Sequence, residues 1–275
     1  MAPPVLSSVM FQETFWSSLS AFLLCGSVHF SKLVMPHVAT LTNTYTPEFA
    51  YLVDSTNTLL LTLFVLLVLL ALPPFAGRAH YNPCVTIFNL FGGACTIDQA
   101  ILRLFGQAAG ATVAVYGLGK FIALFPKELE GVPLAAPKIA TGVDFQTAVM
   151  VEAGVAATVI FANGLIDMMG LLPTPLKQVA GAAVYIGVLV AEQGKYTGSI
   201  MNPLTVMALI AHELGGYAPL ALDELRIAEH LAPYALGAFA GSAALGVVMR
   251  ILGLVPGQSA RRNVQSARGG KQKMN

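Results

Sequence analysis

The chain has 275 residues, 56% hydrophobic and only 11% charged, with a mean hydropathy of +0.71. Soluble domains carry about 25% charged residues, so this chain reads as solvated mainly by lipid, with no soluble domain large enough to detach. A net charge of +1 leaves no basic face for nucleic acid outside the C-terminal tail, and the cysteines Cys25, Cys84 and Cys95 lie in or beside apolar runs that suggest no disulfide framework.

The first apolar segment runs near 11–30 and opens on Phe11-Gln12-Glu13-Thr14-Phe15. No Lys or Arg precedes it, so it lacks the basic start of a cleaved signal peptide and reads as a first membrane helix. A second segment, near 57–75, is almost unbroken from Leu59 to Leu72 and stops at Pro73-Pro74. Next comes Asn82-Pro83-Cys84, opening an apolar run that closes at Gly92-Gly93. Asn is a preferred helix N-cap, Pro suits the first helical turn, and Gly commonly ends a helix. The run therefore predicts a half-helix, too short to cross a hydrocarbon core about 30 Å thick.

The third long segment, 98–125, carries Gly106 and Gly110 with Gln107 between them. The fourth, 145–168, has Glu152 near its start, and the fifth spans 176–194. Asn202-Pro203-Leu204 then opens a second half-helix closing at Gly215-Gly216, and a sixth segment, 230–255, carries Gly237 and Gly241. Gly-x-x-x-Gly steps let helix backbones approach closely in lipid, within a subunit or between subunits. The order helix, helix, half-helix, helix thus occurs twice, near 11–126 and 145–256, as an all-α membrane domain spanning 1–256. Three spans per half make the second half insert upside down, which places a shared polar site near the midplane. Residues 257–275 form a polar, basic tail with a disordered composition.

With both termini cytoplasmic, the inner loops and tail hold Arg78, Arg103, Lys177, Arg250, Arg261, Arg262, Arg268, Lys271 and Lys273. The outer set is Lys32, Lys120, Lys127, Lys138, Lys195 and Arg226. This excess inside satisfies the positive-inside rule. Lys195 and Glu192 are spaced to pair on a helix surface. No metal-ligand cluster, nucleophile–base pair or phosphate loop stands out, so an enzyme reading has no support. A coupled transporter needs a titratable pair facing a cavity, and none is evident.

These motifs resemble the aquaporin, or major intrinsic protein, superfamily. The resemblance rests on residues 77–86 and 196–203 around the two Asn-Pro pairs, with Glu13, Glu152, Gln107 and the paired glycines. It implies six tilted helices, two re-entrant half-helices and a homotetramer with one pore per subunit. The implied activity is passive conduction of water and small neutral solutes such as glycerol or hydrogen peroxide, with no cofactor and no metal. Cys84 and Leu204 stand where the family usually has alanine. Cys84 and the Leu231-Ala232-Pro233 entry are similar to the unorthodox superaquaporin branch, and plant small basic intrinsic proteins also vary the first motif. The branch leans toward intracellular membranes.

Two half-helix N-termini facing one point would oppose cations, and the Asn82 and Asn202 amides would donate to passing water. The resemblance makes Glu13 and Glu152 braces of the re-entrant loops, with a proton relay as the alternative. His80 reads as a loop histidine tying down its own backbone, or as a pH-sensitive gate. Cys84 reads as a small packing residue, or as a redox or mercurial target. Counting without gaps from the motifs puts the outer constriction at Thr62, Val190, Ser199 and Thr205. Orthodox water channels carry an arginine where Thr205 stands, so a wider and less charged filter is expected. A structural membrane subunit that conducts weakly is the alternative from another class.

Overall fold

A computed structural model describes residues 4–45, 80, 82–132, 134–168, 172–192, 195–198, 201–214 and 231–255. All regular structure among these residues is helical. In chain order the helices are α1 (Pro4–Tyr45), α2 (Pro83–Phe91), α3 (Ile97–Ile122), α4 (Phe145–Met168), α5 (Thr174–Glu192) and α6 (Pro203–His212). A π-helical turn, Pro233–Gly237, then leads into α7 (Ala238–Ile251).

Three stretches are long and apolar enough to cross a membrane by length and composition: Ile97–Ile122, Phe145–Met168 and Pro233–Ile251. The expected segment 57–75 lies outside the described residues. The segment expected over 11–30 is the middle of α1, whose 42 residues correspond to about 63 Å of helix. It continues because no glycine follows to close it: Ser31 and Lys32 mark where apolar sequence ends, not where helical hydrogen bonding ends.

Two glycine seams organise the packing. An added Cβ at Gly106 on α3 would lie 2.8 Å from the Met10 carbonyl and 2.9 Å from the Glu13 Cβ of α1. One at Gly110 would lie 2.5 Å from the Thr14 carbonyl, and the Ser18 hydroxyl donates to the Gly110 carbonyl at 3.0 Å. At the start of α7, a Cβ at Gly237 would meet the Val149 carbonyl of α4 and lie 2.9 Å from the Glu152 Cβ. At Gly241 it would collide with the Ala153 carbonyl. Both Gly-x-x-x-Gly steps therefore pack inside the subunit, and in the same register. Met10, Glu13 and Thr14 face one seam as Val149, Glu152 and Ala153 face the other.

Each short helix crosses to the other half of the chain. Short helix α2 packs against α7, where a Cβ at Gly246 would lie 2.6 Å from the Phe88 carbonyl. Short helix α6 packs against α3, where a Cβ at Gly119 would lie 3.0 Å from His212 Nε2. The largest buried apolar cluster joins Val115 and Leu118 of α3 to Val206 and Leu209 of α6, with Leu134 and Tyr234.

Candidate functional site

The two Asn-Pro motifs meet. Asn82 is extended (φ −136°, ψ 126°) and its Oδ1 accepts the Cys84 N–H at 2.8 Å, capping α2, with Pro83 in the first turn. Asn202 has the same φ, and its Oδ1 accepts the Thr205 N–H at 3.2 Å, capping α6 behind Pro203. The helices have 9 and 10 residues, about 14 and 15 Å of rise. Gly92 and Gly93 close α2, whereas Gly215 and Gly216 lie outside the described residues.

The junction is the Met201 carbonyl. It accepts from Asn82 Nδ2 at 3.0 Å and from Cys84 Sγ at 3.5 Å. Met201 is the only non-glycine among the described residues with positive φ, at 52°. That left-handed conformation is costly for a residue with a Cβ. It persists here in a buried position, held by contacts from the opposite half. An amide has two N–H groups, so Asn82 keeps a second donor after bonding Met201.

A buried polar network surrounds the first motif. Glu13 is fully buried on α1 and takes the His80 N–H on its two oxygens, at 2.8 and 3.1 Å. It also accepts from Gln107 Nε2 at 3.1 Å and pairs with Arg103. Gln107 reaches the Thr86 hydroxyl at 3.0 Å, and that hydroxyl contacts His80 Nδ1 at 3.1 Å. One carboxylate thereby ties α1, α3 and the approach to α2 together, with a cation beside it. A buried charge is tolerated when paired and hydrogen-bonded in this way.

The second half brings a further acid to its loop. Beside Glu152, the expected brace, Glu192 takes the N–H groups of residues 196–198. A single oxygen of Glu192 accepts from Tyr196 at 2.8 Å, Thr197 at 2.7 Å and Gly198 at 3.1 Å. The expected surface pair of Glu192 with Lys195 gives way to this: Glu192 is buried, and Lys195 only donates its backbone N–H to the Glu192 carbonyl. Turned inward at the end of α5, the carboxylate reaches amides four to six residues on. Tyr234 donates to the Thr197 carbonyl at 2.6 Å, and the Ala140 N–H donates to the Tyr196 carbonyl at 2.7 Å. Glu152 is fully buried beside this loop, with the Thr197 side chain against its carboxyl.

Of the four constriction positions, Thr62 and Ser199 lie outside the described residues. Val190 on α5 is 37% exposed, but Thr205 is only 2% exposed and its hydroxyl lacks a hydrogen-bond partner among the described residues. Leu204 packs on the main apolar cluster, which accommodates the larger side chain while the Asn202 cap stays formed. Cys84 is buried against Ala156 and Ala238.

No family profile and no curated protein sequence matches the chain. Among solved structures it is similar to the aquaglyceroporin from Plasmodium falciparum, with a TM-score of 0.61 at 14% identity. The likeness covers 90% of this chain and 98% of that one. At such low identity it is the fold that is shared. With its long apolar helices, the chain is an integral membrane protein with an aquaporin fold.

Proposed function

We propose that this protein is a passive membrane channel for water and small neutral solutes such as glycerol or hydrogen peroxide. In this reading six spanning helices and two re-entrant half-helices form an inverted repeat, and both termini are cytoplasmic. The chain works as a homotetramer in an unorthodox, superaquaporin-like branch, with an intracellular membrane favoured. The observation that carries it is the meeting of the two capped short helices at the Met201 carbonyl. Each helix N-terminus carries about half a positive elementary charge. Two such ends at one point repel cations, while Asn82 and Asn202 supply donors to water oxygens. Glu13 and Glu192 then act as positioning groups, holding the backbone before each motif. With Thr205 in place of a guanidinium the outer filter is wide and weakly charged.

The test is stopped-flow light scattering on proteoliposomes of the full chain, comparing osmotic water flux with glycerol entry. Both fluxes should exceed those of empty liposomes, and Asn202→Asp should lower them. Thr205→Arg should reduce glycerol entry more than water flux; no change would remove Thr205 from the filter. A second reading, a weakly conducting structural subunit, draws on the near-complete burial of Thr205 and Cys84. Absence of flux from folded, reconstituted protein would favour it.

A further inference from the structure

Where α3 begins and α7 ends, the surface holds an open groove of about 740 Å³. Its walls are Leu90 and Phe91 of α2, Ile97 of α3, and Val247 and Ile251 of α7. Ile97 and Ile251 are 65% and 78% exposed, so no described residue covers these walls. Arg250 also lines the groove. Its side chain is exposed and makes no hydrogen bond or ion pair with any described residue.

We propose that this groove binds an anionic glycerophospholipid, its phosphate on Arg250 and an acyl chain along the apolar walls. Depth gives the first argument. The groove lies at the ends of two helices that are each apolar enough to span the bilayer, so its cation stands at headgroup level and its walls run toward hydrocarbon. Chemistry gives the second. A guanidinium with its donors free matches a phosphate geometrically and electrostatically. The wall residues are ones that water would solvate poorly. Charge gives the third. The chain leaves α7 at this face and continues into a tail with Arg261, Arg262, Arg268, Lys271 and Lys273 and no acidic residue. Such a basic stretch belongs on the leaflet rich in anionic lipid. A second copy of the chain is a poorer occupant, because a two-fold contact would bring two Arg250 side chains into one apolar site. The proposal needs the membrane placement of the chain but not its conductance.

Native mass spectrometry of the full chain in mild detergent, with added phosphatidylglycerol or phosphatidylcholine, tests it. The unmodified chain should retain one phosphatidylglycerol per protomer in clear preference to phosphatidylcholine. Arg250→Ala should weaken retention about tenfold or more, as expected for loss of a charged hydrogen-bonding partner. Val247→Trp, which fills the groove and keeps the charge, should also displace the lipid. Arg261→Ser with Arg262→Ser should leave retention intact. Retention unchanged in both groove variants, or lost only in the tail variant, would overturn the site. So would no preference for the anionic lipid, or a lipid-free dimer abolished by Val247→Trp.

Discussion

Glu192 shows what one side chain does at this site and why it is hard to read in advance. Its oxygen gathers three consecutive backbone N–H groups, and the Thr197 amide among them is buried. Glu192→Ala should cost about 1–3 kcal/mol for that amide alone, seen as a lower Tm in detergent, and should depress flux. Glu152→Gln should cost less, because an amide oxygen can still accept from Thr197 and the N–H groups of residues 196–198 stay on Glu192. The reverse ranking in paired melting and flux measurements would make Glu152 the main brace. Asn82, Asn202 and Glu13 were legible in sequence because caps and isolated intramembrane acids are conspicuous. Glu192 looked like half of a surface ion pair, since spacing on a helix does not show which way a terminal side chain turns. One signal was present. An acid in the last turn of a helix sits at the unfavourable, negative end of its dipole, so its presence there points to a partner beyond the helix. Met201 carried no signal at all, because its positive φ comes from contacts supplied by the other half.

Elements were easier to read than their faces. Both Gly-x-x-x-Gly steps stood out, but the sequence left open whether they join helices within or between subunits; the Met10, Thr14, Val149 and Ala153 carbonyls place them within. Gly110→Ala and Gly241→Ala should each destabilise by about 1–3 kcal/mol through overpacking. Gly117→Ala and Gly154→Ala, with nothing within 4 Å of an added Cβ, should be neutral or stabilising by up to about 1 kcal/mol. Melting curves of the four variants decide this, and equal effects would sink the seam assignment. The start of α4 gives a pH prediction. Asp144 accepts the Thr147 N–H and hydroxyl, each at 2.8 Å, and these bonds hold its carboxyl below its ordinary value of 3.8. A lowered folded value means the cap contributes fully near neutrality and is lost as pH falls through it. The Tm difference between the unmodified chain and Asp144→Ala should therefore be flat near neutrality and shrink at acidic pH. A difference that grows on acidification would contradict the cap.

At the scale of the molecule, the two halves depend on each other. Helix α2 rests on α7, and α6 rests on α3. Asn82 and Cys84 bond the backbone of Met201 across 119 and 117 residues of sequence. Each short helix therefore finds its main packing partner in the other half, although α2 also touches α3 of its own half. The loop between the halves has an exposed turn at Gly131, with φ +74° and nothing within 4 Å of an added Cβ, which suits a cut. Residues 1–131 and 132–275 expressed separately should be degraded or aggregate, because each exposes the face meant for the other's short helix. Co-expressed, they should copurify as a complex with the flux of the intact chain. His29 and Lys32 of α1 bond the carbonyls of Val132 and Glu130 on either side of the cut, so those anchors stay available to rejoin it. A half that proves stable and monodisperse alone would refute the exchange of short helices, since the contacts that fix each Asn-Pro motif would then be dispensable for folding.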